Sequence, residues 1–218
     1  MLVKKRQTAV CDSILIPRRY GRRVAIVVIV AVVAAAVTCD RLARGPRQGD
    51  DWSRYHDRSF RIARVIDGDT LDIDAPDKDK DVTRIRLWGV DTPEVRHRGR
   101  ADMHFGPQAT DFAKRTLAGR EVHVVLSPDR TRGKFGRLLA YVYLERAGRM
   151  FNEMLLEEGY AYADLRFSHH YYRQFKVIEQ RARKEGRGLW ADVTLEKMPQ
   201  WKQRFERKKA STRSSTGN

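Results

Sequence analysis

The chain has 218 residues, 41% of them hydrophobic and 9% aromatic, and a formal net charge of +16 at neutral pH. That is enough apolar material for one medium domain with extensions. The two cysteines, Cys11 and Cys39, both lie in the N-terminal stretch, which excludes a cysteine nucleophile, a disulfide framework and a cysteine-based zinc site from the rest of the chain.

The charge is concentrated at the two ends. Residues 1–23 carry seven Lys/Arg and one Asp, and residues 197–218 carry seven Lys/Arg and one Glu, so each end is +6 and the body between them only +4. Such ends suit an anionic partner, nucleic acid or a lipid headgroup, or are plain solvated tails. Arg18, Arg19, Arg22 and Arg23 precede an apolar run of 14 residues from Val24 to Val37, or 16 with Thr38 and Cys39. This length lies between a secretory core of roughly 7–15 residues and a spanning helix of about 20. Residues 24–39 are therefore expected to form one N-terminal hydrophobic helix, a membrane anchor or the core of an export signal. Either way, the arginines hold the basic segment 1–23 in the cytoplasm and send the remainder to the extracytoplasmic side, membrane-bound or secreted. Residues 40–58 are polar and aperiodic, contain Gly and Pro, and read as a linker.

From Phe60 the pattern tightens. FRIARVI (60–66), TLDIDA (70–75) and TRIRLWGV (83–90) read as three strands joined by short connections, an antiparallel meander. Gly106-Pro107 opens a helix that runs to Gly119, with Phe112, Ala113, Thr116 and Leu117 as its apolar stripe. EVHVVL (121–126) and LLAYVYL (138–144) supply a fourth and a fifth strand. NEMLLEEG is a short helix stopped by Gly159, and YRQFKVIEQRARKEG a longer one stopped by Gly186. Five short strands with about three helices predict an α+β domain over 59–191, a five-stranded OB-fold β-barrel with the helices packed on it. Residues 192–218 read as a solvated basic tail, with Pro199 opening a short helical stretch in which Trp201 and Phe205 lie four apart.

Two turns are acidic. VIDGDT (65–70) sets Asp67 and Asp69 around Gly68, and VDTPE (90–94) sets Asp91 and Glu94 around Pro93, which pins its turn. Asp72 and Asp74, two apart in a strand, share a face expected to meet solvent. If the two turns meet at one barrel end, their carboxylates converge and need positive charge among them. The histidines are scattered, and His169-His170 reads as a surface loop pair. An all-oxygen ligand set suits Ca²⁺ or Mg²⁺ rather than zinc. Arg84 and Arg86 share a strand face and serve either as salt-bridge partners or as a grip on phosphate. A cation, a carboxylate base and arginines make a phosphodiester-cleaving site. From spacing alone, a structural calcium site, or acidic turns that merely end strands, fit as well.

Taken in order, VIDGDT, RIRLWGVDTPE, GPQA, GKFGRLLAYVY, NEMLLEEGYA and KEGRGLW resemble the staphylococcal nuclease (thermonuclease) family from about Phe60 to Trp190. The resemblance implies an OB-fold barrel and Ca²⁺-dependent hydrolysis of DNA and RNA, single-stranded or locally open, leaving 3′-phosphate ends. It implies that Asp69, Asp91 and the backbone carbonyl of Thr92 are cation ligands, with Asp67 an outer carboxylate. Glu94 would be the general base toward water, Arg86 and Arg137 would hold the phosphate, and Lys134 and Phe135 would meet the substrate. Gly133 and Phe135 depart from the Asp and Tyr of the family pattern. Leu165 and Phe167 fall about where two tyrosines touch the nucleotide, and a phenyl ring stacks on a base without donating a hydrogen bond.

The resulting expectation is an exported, membrane-anchored, monomeric nuclease. A non-catalytic OB-fold module that binds nucleic acid without cutting it would not need Glu94 beside two Asp and two Arg. A structural protein with a stabilising Ca²⁺ would be indifferent to replacement of Arg86.

Overall fold

The computed structural model describes residues 48–95 and 101–215. The basic segment 1–23 and the apolar run 24–39 lie outside the described residues, and no helix among those described is long and apolar enough to cross a membrane.

The alternating stretch folds as expected into an antiparallel meander of β1 (Arg58–Val65), β2 (Thr70–Ile73) and β3 (Thr83–Leu87). Ile62, Leu71, Ile73, Ile85 and Leu87 are all fully buried. Such β-branched and aliphatic chains pack well on a pleated face. β3 then pairs in parallel with β6 (Leu138–Tyr143), β6 pairs antiparallel with β5 (Glu121–Leu126), and β5 returns to β1, closing a five-stranded barrel in the order β1-β2-β3-β6-β5. Closure removes the exposed sheet edges. A parallel neighbour cannot be reached by a hairpin. The chain between β3 and β6 therefore makes a long excursion through β4 (Val90–Asp91), α1 being already behind it at Gln48–Tyr55, then α2 (Gly106–Leu117) and β5.

Helix α3 (Phe151–Glu157) seats Phe151, Leu155 and Leu156 on the barrel, and α4 (Tyr172–Lys184) adds Phe175. Asn152 locks α3 in place. Its fully buried amide accepts a hydrogen bond from the Val142 N–H (3.0 Å) and donates to the Trp88 (3.0 Å) and Ala140 (3.4 Å) carbonyls. Strand β7 (Tyr162–Ala163) pairs with β4, and the last described element is α5 (Gln200–Ser215).

Four expectations need correction. The stretch read as a linker contains α1, whose Tyr55 is buried and meets Thr83 Oγ1 at 3.0 Å. Its two aromatics, Trp52 and Tyr55, are too few among charged neighbours to set up a visible period. Asp72 is buried rather than solvent-facing: burial alone would raise its pKa, but the Arg84 and Arg64 guanidinium groups that close over it hold it below the usual carboxylate value. The basic tail is not simply solvated, since Lys202 of α5 is fully buried. His169 is a core residue, 6% exposed, its Nδ1 hydrogen-bonded with the Tyr141 hydroxyl (3.2 Å), whereas His170 is exposed.

Burial lowers the His169 pKa from 6.5 to about 4. The unfolded chain therefore takes up a proton near pH 6.5 that the folded chain refuses, so stability falls as pH drops from about 6.5 toward 4. His169→Gln is expected to flatten this loss by up to about 3 kcal/mol between pH 7 and 4, read by chemical denaturation of both proteins across that range.

Candidate active site

The two acidic turns meet. Asp69, 3% exposed, ends the β1–β2 turn. Its Oδ2 accepts hydrogen bonds from the Thr92 N–H (2.7 Å) and Oγ1–H (3.0 Å) of the other turn. Its Oδ1 takes the Thr70 hydroxyl (3.1 Å) and pairs with Arg86. The turns lie so close that a Cβ on Gly68 would stand 2.8 Å from Thr92 side-chain atoms. Asp67 Oδ1 accepts the Asp69 N–H (3.1 Å) and so shapes its own turn. Burial pushes the Asp67 carboxyl above its usual range, against the opposing pull of Arg86 and of hydrogen bonds from Thr70.

Arg86 extends from β3 between the turns. One terminal nitrogen pairs with Asp69 and the other lies 2.5 Å from Asp91 Oδ1. Arg137 approaches from the end of the loop before β6, with Nη1 3.4 Å from Thr70 Oγ1. Burial, and then the neighbouring Arg86 charge, lower its pKa. Glu94 is exposed at the rim, but its backbone is held: its carbonyl accepts the Met103 N–H (3.0 Å). Gly106 at the start of α2 lies so near that a Cβ would stand 2.8 Å from the same carbonyl oxygen. The glycine of GPQA is thus required by the close approach of α2 to the Pro93–Glu94 turn.

These groups border a cleft of about 440 Å³. Asp67, Asp69, Arg86, Asp91, Thr92, Glu94, Lys134, Phe135 and Arg137, all singled out in the sequence, line it. Phe135 is 79% exposed, with Lys134 Nζ and Arg137 Cζ 5.9 and 6.0 Å from its ring centre, an open aromatic face among cations. Such a face suits a nucleobase. Phe167 also lines the cleft, its ring stacked on Trp88 at 5.6 Å, whereas Leu165 is buried and does not border it.

Three sets of contacts escaped the sequence reading. Arg132 bridges the buried Asp51 of α1 (2.6 and 2.8 Å) and Asp77 (2.6 and 3.1 Å), and Thr131 donates to the same Asp51 (3.0 Å). The Asp51 bonds raise the Arg132 pKa, against its burial. This cluster anchors the loop that carries Lys134, Phe135 and Arg137. Arg166 pairs with Asp164 (2.7 and 2.8 Å) and reaches Asp91 Oδ1 (3.4 Å). Trp201 of α5 donates its indole N–H to Asp91 Oδ2 (2.7 Å). The signals for α5 were Pro199 and aromatic residues at helical spacing within a tail; nothing in spacing pointed to Arg132.

Among the described residues no group of three or more His, Cys, Asp or Glu gathers as a metal cage. The donor set on offer is smaller, the Asp69 and Asp91 carboxylates with the carbonyl of Thr92, the residue after Asp91. The Arg86 guanidinium that now bridges those carboxylates shows that they share one source of positive charge. An all-oxygen set of this kind fits a hard cation such as Ca²⁺.

A family profile described as staphylococcal nuclease homologue matches residues 84–192. The chain is 31% identical to the thermonuclease of Staphylococcus hyicus over 168 residues, covering 77% of this chain and 95% of that protein. It is 38% identical to the thermonuclease of Staphylococcus intermedius over 134 residues, covering 61% of this chain and 76% of that protein. It is 32% identical to an uncharacterised endonuclease of Escherichia coli over 147 residues, covering 65% of this chain and 81% of that protein.

The loop anchor is open to test. Arg132→Met leaves the Asp51 carboxylate buried and unpaired, and is expected to cost about 3–5 kcal/mol of unfolding free energy in denaturant titration. Asp51→Asn combined with Arg132→Met is expected to recover a large part of that loss.

Proposed function

The chain belongs to the staphylococcal nuclease family and is a phosphodiester-hydrolysing nuclease, and from that premise we propose that it cuts DNA and RNA with Ca²⁺ as its cofactor. The observation that carries this reading is the convergence of Asp69, Asp91, Arg86, Arg137 and Glu94 on one cleft that also exposes the Phe135 ring.

Asp69, Asp91 and the Thr92 carbonyl would hold the cation. When bound, it supplies positive charge for a non-bridging phosphate oxygen. Arg86, whose two terminal nitrogens pair with Asp69 and Asp91, would offer the same donors to the phosphate. Arg86 and Arg137 grip the equatorial oxygens and strengthen their hydrogen bonds as charge builds on phosphorus. Glu94, its backbone held by the Pro93 turn and Gly106, takes a proton from the attacking water. The water oxygen bonds to phosphorus, the bond to the 5′ oxygen of the leaving nucleotide breaks, and that oxygen takes up a proton. A 3′-phosphate end and a 5′-hydroxyl result. Phe135 stacks on a base, with Lys134 beside it attracting backbone charge.

Glu94→Gln keeps size and loses the base. It is expected to lower kcat by about 10²–10⁴ with KM little changed, and chelation of Ca²⁺ is expected to abolish cleavage of plasmid and single-stranded DNA. Arg86→Lys is expected to lower kcat by about 10²–10³. A folded wild-type protein that binds DNA but cuts nothing in any divalent metal would establish the binding-module alternative instead.

The same proposal extends to location. The arginines before residue 24 and the apolar run to residue 39 support export of the nuclease domain, held at the membrane or released. In intact spheroplasts, external protease is expected to degrade the nuclease domain. The mass of the mature chain then separates an anchor from a cleaved signal; full protection from protease would refute export.

A further inference from the structure

Trp201 lies beyond the residues 84–192 that carry the family match, yet it touches a carboxylate of the cleft. Asp91 has both oxygens engaged: Oδ1 faces Arg86 at 2.5 Å and Oδ2 accepts the Trp201 indole N–H at 2.7 Å. The backbone of Asp91 lies in β4, a two-residue strand paired through Tyr162 and Ala163 of β7. So short a ladder fixes the position of a carboxylate poorly by itself.

Trp201 is itself firmly placed. The Arg166 guanidinium lies over its ring at 4.4 Å. The next residue, Lys202, is fully buried and donates to both Glu179 oxygens at 2.7 Å. The same Glu179 Oε1 accepts the Ala163 N–H (3.0 Å) of β7. One glutamate on α4 thus ties α5 to the strand that pairs with Asp91. The indole N–H is a donor without acceptor capacity. It occupies the outer carboxylate oxygen, fixes the rotation of the group, and leaves the inner oxygen turned toward Arg86 and Arg166.

We propose that Trp201 is a positioning residue for the cation site, and that α5, locked by the Lys202–Glu179 pair, sets the affinity of that site by orienting Asp91. The proposal rests on the Ca²⁺ reading of the cleft. Groups that orient a metal ligand typically change metal affinity by about 10–100-fold.

The test is a calorimetric Ca²⁺ titration of the whole 218-residue chain in detergent without nucleic acid, with thermal unfolding recorded alongside. Trp201→Phe keeps an aromatic surface for Arg166 and removes the donor. Its Ca²⁺ dissociation constant is expected to rise about tenfold at an unchanged Tm, and its cleavage rate to recover at saturating Ca²⁺. Glu179→Gln combined with Lys202→Met unties α5 with Trp201 intact and is expected to weaken Ca²⁺ in the same direction. Affinities of both variants within about twofold of wild type would overturn the proposal alone. A wild-type chain that binds no Ca²⁺ would overturn the Ca²⁺ reading and this proposal together, so the two failures differ in which protein fails to respond.

Discussion

The site is organised around the buried carboxylate of Asp69. A charge in a barrel end is tolerated only when fully hydrogen-bonded and paired. Asp69 meets that demand by drawing two Thr92 donors, the Thr70 hydroxyl and Arg86 to itself. In doing so it fastens the β1–β2 turn to the turn after β4, two segments separated by more than twenty residues of sequence. Gly68 makes the approach sterically allowed. Asp91, Thr92 and Glu94 are placed by this contact rather than by the barrel ladder, which ends at Leu87.

The remaining parts of the cleft are placed by ion pairs that the barrel itself does not require. Arg132 between Asp51 and Asp77 holds the loop bearing Lys134, Phe135 and Arg137 against α1. Lys202 with Glu179 holds α5 against α4 and β7. Both pairs are largely or wholly buried. Such pairs are weak contributors to net stability but costly to break from one side, so they favour one geometry over its neighbours. The barrel core supplies cohesion through Ile73, Ile85, Val124 and Leu138, all fully buried, while these charged clusters aim the loops that the core leaves unconstrained.

A cleft with this composition accounts for a basic chain that keeps acidic turns. Asp67, Asp69, Asp91 and Glu94 lie among Arg86, Lys134, Arg137 and Arg166. In the proposed reaction, the cations would draw a polyanion in, and the carboxylates would hold charge and accept protons where it is cut. In the proposed reaction, the open Phe135 ring would stack without donating a hydrogen bond, which favours tolerance among bases over readout of one of them.

The five barrel strands and the helices from 106 to 184 were legible because alternation, glycine stops and the Gly106-Pro107 start are local signals that each element obeys by its own packing, whereas the two-residue strands β4 and β7 were not. The family motifs made the nine cleft residues legible as well, since a glycine or aspartate that a close approach demands leaves a fixed local pattern. The parallel β3–β6 pairing, the burial of Asp72 and His169, and the ion-pair anchors were not legible. Each joins residues whose separation along the chain carries no periodic signature: Asp51 with Arg132, Glu179 with Lys202, Asp91 with Trp201. By itself the sequence determined the barrel elements, the acidic turns and the chemistry available to them. Only the tertiary structure decided that a helix before β1 and a helix after the family domain brace that chemistry, because a long-range charge pair is specified by where two segments meet and not by the run of residues on either side.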